Sequence, residues 1–260
     1  MSQTASDVND VVSLNPTTAN LINVSLALEA AEVAMGRRSH LPGMVTFTGF
    51  SGLGKSLAVS YVAQQYRGFY IEFMDHWSKL DLIKMIMFVM GLKKLKGMGE
   101  NDCVQAIISE LAVCGRPLIL DEFDQLIDRK HIASSLMALI LNIAKKSGGS
   151  IILVGEELLP HKIANYEKFD NCVYARYLAL PSEITDSRIM ARHYYPELEI
   201  RDDLLELTVR KCRGITRRIC INLDTFAAEA AALGIDSIGL AEWGTKQINT
   251  GEALKPRSLK

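Results

Sequence analysis

The sequence predicts an α/β protein: a five-stranded parallel sheet with helices on both faces, followed by a small all-helical unit. Three observations carry that prediction. A glycine-rich loop, Gly49-Phe50-Ser51-Gly52-Leu53-Gly54-Lys55-Ser56, stands between an apolar run (Met44 to Thr48) and a helix-like run (Leu57 to Val62). Strand-length apolar runs then alternate with helix-period segments as far as residue 180, as in strands joined by crossover helices. Beyond Pro181 the segments 183–193, 202–212 and 215–233 carry helical apolar spacing and no further strand signal.

Length and composition permit this design. A chain of 260 residues, 48% hydrophobic, can bury a substantial core and suits one α/β domain with a smaller appendage. The formal net charge of −1 argues against a large basic face, so nucleic-acid binding has to come from a local patch. Cys103, Cys114, Cys172, Cys212 and Cys220 are odd in number and widely spaced, which suggests buried thiols rather than disulfides or a zinc site. There is no basic n-region and no apolar run of about 18 residues, so no membrane is expected and the predicted location is cytoplasmic. Asn23-Val24-Ser25 matches a glycosylation acceptor, which has no meaning in such a chain.

In chain order, residues 1–16 are polar, end at Pro16 and read as a flexible tail. Thr17 or Thr18 offers an N-cap for a helix in which Leu21, Ile22, Ser25, Leu26, Ala30 and Val33 recur at helical spacing as far as Gly36. The basic pair Arg37-Arg38 and a loop through Pro42-Gly43 lead to the first strand. Strands are predicted next at Gly68 to Phe73, Pro117 to Asp121, Ser150 to Gly155 and, as a weaker fifth, Val173 to Leu180. Helices are predicted at about 78–91, 101–113 and 131–146. The expected organisation is a core over 17–180, a helical unit over 181–241 and a C-terminal basic tail over 242–260 with Lys255, Arg257 and Lys260.

The glycine loop fits the phosphate-binding pattern G-x-x-x-x-G-K-[ST] at every fixed position, which is the Walker A motif. Gly49, Gly52 and Gly54 let the backbone around Ser51 and Leu53 turn successive N–H groups inward, and the following helix start adds its partial positive charge. Lys55 is spaced to reach the β- and γ-phosphates of ATP, and the Ser56 hydroxyl to ligate Mg²⁺. Leu118-Ile119-Leu120-Asp121-Glu122 has the form of a Walker B strand, in which Asp121 stands on the metal side and Glu122 polarises the attacking water. Without the glycine loop, Asp-Glu after an apolar run would read as an ordinary helix start with Asp as N-cap.

These two motifs, a strand ending Leu153-Val154-Gly155-Glu156, and Gly214-Ile215-Thr216-Arg217-Arg218 at a helix start together resemble an AAA+ ATPase with the additional strand, over about residues 17–235. Within that family, Ile151 to Leu159 and the Gly-Ile-Thr-Arg-Arg element resemble the MuB, TnsC and TniB group of transposition regulators. ExeA-type secretion ATPases and origin-recognition ATPases share much of the outline. The resemblance implies ATP and Mg²⁺ as cofactors and a lid formed by the helical unit. It places Arg217 as the sensor 2 arginine, although a surface arginine at a helix start has the same signature. Glu156 falls at the sensor 1 position, where the family usually carries a neutral polar residue, and this departure implies slow hydrolysis. An arginine finger acting in trans would come from Arg176, Arg188 or Arg192, each of which also reads as a surface arginine. The implied partners are double-stranded DNA, further copies of the chain in a ring or helical filament, and a transposase, in the host cytoplasm of a bacterium carrying a phage or mobile element.

Residues 76–98 hold Lys79, Lys84, Lys93, Lys94 and Lys96 against the single acid Asp81. Brought together by oligomerisation, such stretches could track a phosphate backbone, and the resemblance puts DNA on this part of the domain. The stretch also reads as a solvated amphipathic helix packing Leu80, Ile83, Met87 and Met90 on the sheet. Two rival functions remain open at this stage: a small-molecule kinase, and a nucleotide switch without a DNA role.

Overall fold

Five short runs become the strands of one parallel sheet: Met44–Thr48, Leu118–Asp121 and Ile151–Gly155 are buried at every position by the helices on both faces, whereas Phe69–Glu72 and Val173–Leu178 are buried only in part. The structure, a computed structural model, describes residues 21–252. The chain runs α1 (Ile22–Gly36), β1 (Met44–Thr48), α2 (Lys55–Gln65), β2 (Phe69–Glu72), α3 (Lys79–Val89), α4 (Glu100–Cys114), β3 (Leu118–Asp121), α5 (Phe123–Ile127), α6 (Lys130–Ser147), β4 (Ile151–Gly155), α7 (Leu159–Ala164), α8 (Glu167–Asp170) and β5 (Val173–Leu178). Strand order is β2-β3-β4-β1-β5, with every pairing parallel. The strand β4 therefore lies between β1 and β3, the strands that lead into the glycine loop and the Asp121-Glu122 pair. This is the additional-strand arrangement expected from the sequence.

Alternation along the strands divides the core in two. Phe69, Ile71, Leu118, Leu120, Ile151 and Leu153 face α3, α4 and α6, where Ile83, Ile86, Ile107 and Ile140 cover them. Val45, Phe47, Ile119, Ile152 and Val154 face α1 and α2, and this second core continues into the helical unit through Leu204, Leu223 and Phe226. Burial of Ala27, Ala30, Ala31 and Ala34 in α1 lets that helix lie close to the sheet. At the start of α3 a capping box sets the boundary: Ser78 Oγ accepts from Asp81 N at 3.3 Å and Asp81 Oδ2 from Ser78 N at 3.0 Å.

After β5 come α9 (Ile184–Tyr194), β6 (Glu199–Ile200), α10 (Asp202–Cys212), α11 (Thr216–Leu233), β7 (Ser237–Ile238) and α12 (Leu240–Trp243). The unit is helical as predicted, except for the parallel pair β6–β7, whose strands of two residues each are too short to leave a periodicity signal.

The structure corrects three further expectations. Ile83, Met87 and Met90 are buried as expected, but Leu80, in the first turn of α3, is 40% exposed, and Leu82 and Ile86 complete the buried face in its place. Residues from 242 onward do not begin a tail: Trp243 packs edge-on against Phe226 at 4.7 Å, and Asn249 O accepts from Asn222 Nδ2 at 2.9 Å. Of the five cysteines only Cys103 and Cys212 are fully buried; the other three are partly exposed. The expected N-terminal tail, the caps at Thr17 or Thr18, and Lys255, Arg257 and Lys260 lie outside the described residues. Among the described residues no helix is long and apolar enough to cross a membrane.

Candidate active site

The predicted motif residues meet at the carboxyl ends of β1, β3 and β4, the side on which open α/β sheets bind ligands. A cleft of about 330 Å³ there is lined by Gly52, Lys55 and Ser56 from the glycine loop, by Glu122 and Glu156 from the strand ends, and by Arg217 from α11.

The loop owes its shape to backbone that side chains would forbid. Gly52 has φ +86°, and a Cβ added there would stand 2.9 Å from Ile215 Cγ2, so the glycine also admits the close approach of α11. That approach is closed by a hydrogen bond from Arg217 N to Gly52 O at 2.9 Å. Leu53 is buried in the core and anchors the loop from below, while Ser51 stays exposed. Lys55 Nζ donates to Gly49 O at 2.7 Å and Phe50 O at 2.9 Å. Burial lowers the affinity of this amine for its proton, and Asp121, Glu122 and Glu156 oppose the effect.

Asp121, at the end of β3, is 2% exposed and held from two sides. Its Oδ2 accepts from the Tyr70 hydroxyl at 2.9 Å and its Oδ1 from Glu122 N at 2.8 Å. Glu122 is the N-cap of α5 and takes φ 55°, ψ 38°, a left-handed conformation that costs a residue with a Cβ on the order of 1–2 kcal/mol. A helix therefore does start here, as an Asp-Glu pair after an apolar run suggests, but Glu122 rather than Asp121 stands at its N-cap position, with no side-chain capping bond. Burial pushes the Glu122 carboxyl above the ordinary glutamate range, Asp121 adds to the rise, and Lys55 pulls the other way.

Glu156 is exposed at the end of β4, and its backbone N–H donates to Asp124 Oδ2 at 2.5 Å. Asp124 is 5% exposed and forms an ion pair with Lys162 at 3.0 Å, tying α5 to β4 and α7. Gly155 makes room for this: a Cβ there would fall 2.1 Å from Asp124 Oδ2.

Several residues shape the site in ways the sequence does not signal. Asn23 Nδ2 donates to Leu53 O and to Leu180 O, both at 2.8 Å, and Asn23 Oδ1 accepts from Leu180 N at 2.8 Å. One buried side chain thus joins α1, the glycine loop and the connection to the helical unit. Thr216 Oγ1 and Ser182 Oγ lie 2.7 Å apart, linking the start of α11 to the same connection. In the sequence Asn23 stands out only through the meaningless acceptor match Asn23-Val24-Ser25, and Tyr70 is an ordinary strand aromatic.

The remaining candidates lie away from the cleft. Arg176 on β5 pairs with Asp170 at 2.6 Å, and Arg188 on α9 pairs with Asp202 through two hydrogen bonds of 2.8 Å. Arg192 is exposed on α9. In the basic stretch Lys79 pairs with Glu100 at 2.5 Å and Lys84 lies 3.7 Å from Asp81, while Lys93, Lys94 and Lys96 are exposed in the connection from α3 to α4.

A loop with left-handed backbone at Gly52 and Gly54 and with Lys55 in the cleft suits a polyphosphate, and the Ser56 hydroxyl with the oriented Asp121 carboxylate supplies the hard oxygen donors that Mg²⁺ prefers. Comparison with known proteins agrees with this class. Residues 37–163 match the family profile described as AAA domain. No curated protein sequence matches the chain. The fold is similar to that of Cdc6p from Pyrobaculum aerophilum, at 15% identity and a TM-score of 0.63 over 88% of this chain and 67% of that one. It is similar also to the ORC1 protein of Aeropyrum pernix, solved in complex with DNA, at 15% identity and TM-score 0.60 over 89% of this chain and 65% of that one. A Walker-type ATPase of Pyrococcus abyssi aligns at 17% identity and TM-score 0.62 over 80% of this chain and 67% of that one. The chain thus spans about two thirds of the length of each of these proteins. The architecture is the AAA+ fold, with a helical C-terminal part.

Proposed function

We propose that this protein is an ATPase that binds ATP with Mg²⁺ in the cleft, hydrolyses it slowly, and uses the bound nucleotide to assemble copies of itself on double-stranded DNA. The observation that carries the reading is the convergence on one cleft of Lys55, Ser56, Glu122 and Arg217, with the oriented Asp121 carboxylate behind it. ATP brings a phosphoryl group open to attack by water, and Mg²⁺ neutralises charge on its oxygens. In this reading Gly49 to Ser56 hold the phosphates, Lys55 faces the β- and γ-phosphates, and Ser56 and Asp121 hold the metal. Glu122, whose carboxyl is already displaced toward neutrality, takes the proton from the attacking water. Arg217 reaches the γ-phosphate from the lid, residues 181–241, which moves against the core, residues 17–180. Glu156 puts a negative charge where a neutral group would better position water, which keeps turnover slow.

The test separates binding from chemistry. Lys55→Ala should abolish binding of a fluorescent ATP analogue, while Glu122→Gln should keep binding and lose roughly 10²–10⁴-fold in hydrolysis. Unchanged hydrolysis in Glu122→Gln removes that residue from the mechanism. Chromatography of γ-labelled ATP should show free phosphate; a phosphorylated small molecule would favour the kinase instead.

The finer reading is a target-selection partner of a transposase, supported by the resemblance of Ile151 to Leu159 and Gly214 to Arg218 to transposition regulators. A second reading, an origin-recognition-like switch with no transposition role, is favoured by the likeness in fold to Cdc6p and ORC1. Strand-transfer assays with a candidate transposase, with and without this protein and ATP, distinguish them: stimulation supports the first reading and its absence the second.

A further inference from the structure

Four loops enter the sheet at the edge opposite the cleft: residues 37–43 before β1, 66–68 before β2, 115–117 before β3 and 148–150 before β4. Backbone hydrogen bonds hold them side by side, since Phe69 N donates to Pro117 O at 2.8 Å, Leu118 N to Ser150 O at 2.9 Å and Ile151 N to Gly43 O at 2.9 Å. Three strand spacings make this strip about 14 Å across. It carries Arg37, Arg38, Arg67, Arg116, Lys145 and Lys146, and no Asp or Glu occurs in residues 33–43, 63–71, 111–120 or 141–153. In a chain with 29 basic and 30 acidic residues, such a separation of charge is local and large. It ends at β5, whose preceding segment mixes Glu167, Lys168 and Asp170.

Part of this charge has a structural use. The helices α1, α2, α4 and α6 all end at this edge with their partial negative poles. Arg37 donates to the carbonyls of Ala34 at 2.5 Å, Leu41 at 3.2 Å and Gly149 at 3.2 Å, and Arg116 lies 3.9 Å over the Phe69 ring and donates to Arg67 O. At about half a charge per helix end, the four ends offset only about two of the cations, leaving a surplus of about four. The other four side chains, Arg38, Arg67, Lys145 and Lys146, are exposed, and none makes an ion pair among the described residues.

We propose that this edge is a second phosphate-binding face for double-stranded DNA, acting in addition to Lys93, Lys94 and Lys96. The inference rests on the DNA-binding reading above and assigns it a surface. The strip is wide enough to bridge the two phosphate walls of a groove about 12 Å across. Within the same residue ranges Val113 is the one large apolar side chain that is exposed, which falls short of the apolar cluster that a membrane-surface contact would use as its anchor. Arginines and lysines at this density neutralise phosphates without reading bases, so the face holds duplex irrespective of sequence.

The test is Arg38→Ser, Lys145→Ser and Lys146→Ser combined, with affinity for a labelled duplex measured by anisotropy across 50–200 mM salt in the presence of ATP. These exposed side chains stand far from the cleft, so binding of a fluorescent ATP analogue should be unchanged and serves as the folding control. The slope of log affinity against log salt should flatten by about 2.7 for each subunit engaged, and a variant carrying only Arg38→Lys should retain the parent slope. An unchanged slope in the triple variant, with duplex binding intact, overturns the face while leaving the DNA reading standing. A parent protein that binds no duplex overturns both, and binding to phosphatidylserine vesicles but not to duplex assigns the edge to a membrane instead.

Discussion

At the scale of single residues the site turns on two neighbouring acids treated in opposite ways. Asp121 is buried but satisfied, with Tyr70 and the Glu122 amide fixing its carboxylate, whereas Glu122 is half-buried and driven toward its neutral form. Tyr70→Phe removes one of the two bonds that orient Asp121, and a hydrogen bond contributes on the order of 1 kcal/mol. The Mg²⁺ concentration giving half-maximal hydrolysis should then rise roughly 5-fold while nucleotide binding without metal stays the same; a Mg²⁺ titration with an unmoved midpoint would deny Tyr70 a positioning role. Because Glu122 must be ionised to accept a proton, the acid limb of the pH–rate profile should lie above the ordinary glutamate range. The same shift has a stability sign. A carboxyl whose folded pKa is raised ionises first in the unfolded chain, so stability falls as pH rises from the unfolded pKa to the folded one and stays reduced above it. Glu122→Gln should therefore melt higher than the parent at pH 8, with the difference closing below the glutamate range in a thermal scan.

At the scale of elements, the first turn of α11 and the connection before α9 are fastened to the glycine loop by few contacts, each of them specific. Asn23 supplies three of the hydrogen bonds, and at about 1 kcal/mol each Asn23→Ala should cost about 3 kcal/mol in urea denaturation. Little loss would show that the three backbone groups find other partners. The bond from Arg217 N to Gly52 O places the Arg217 side chain at the mouth of the cleft, so a γ-phosphate can bias the lid only through a group already beside it. ATP should therefore drive self-association more than ADP does, and Arg217→Ala should remove the difference. Light scattering in the two nucleotides decides this, with equal mass for ATP and ADP in the parent counting against assembly.

At the scale of the whole molecule, near-neutrality conceals an uneven distribution of charge. Acids gather at the carboxyl ends of the strands, where Glu72, Asp121, Glu122 and Glu156 stand, and cations gather at the amino ends. In the α3–α4 connection Lys93, Lys94 and Lys96 are exposed, whereas Lys79 and Lys84 lie beside acids. Replacing Lys93, Lys94 and Lys96 with Ala should flatten the salt dependence of DNA binding by about 0.9 for each lost contact with ATP binding intact. An unchanged slope would move the contact off this connection. Binding should depend only weakly on sequence, since lysines meet phosphates as point charges.

What the sequence determined by itself is what short-range pattern can encode. The glycine loop, the apolar strands and the helix periods repeat over a few residues, and the fold class, the Walker residues and the helical character beyond Pro181 follow from them. Strands as short as β6 and β7 escaped, since two residues hold no period, and so did the exposure of Leu80, since apolar spacing does not show which first-turn side chain of α3 the sheet leaves uncovered. Only the tertiary structure could bring Tyr70 to Asp121, Asn23 to Leu53 and Leu180, and Arg217 to Gly52, for these pairs lie 51, 30, 157 and 165 residues apart in the chain. The basic edge has the same origin. Its cations are scattered singly or in pairs over more than a hundred residues, and they form one surface only because parallel strands bring every entering loop to the same end of the sheet.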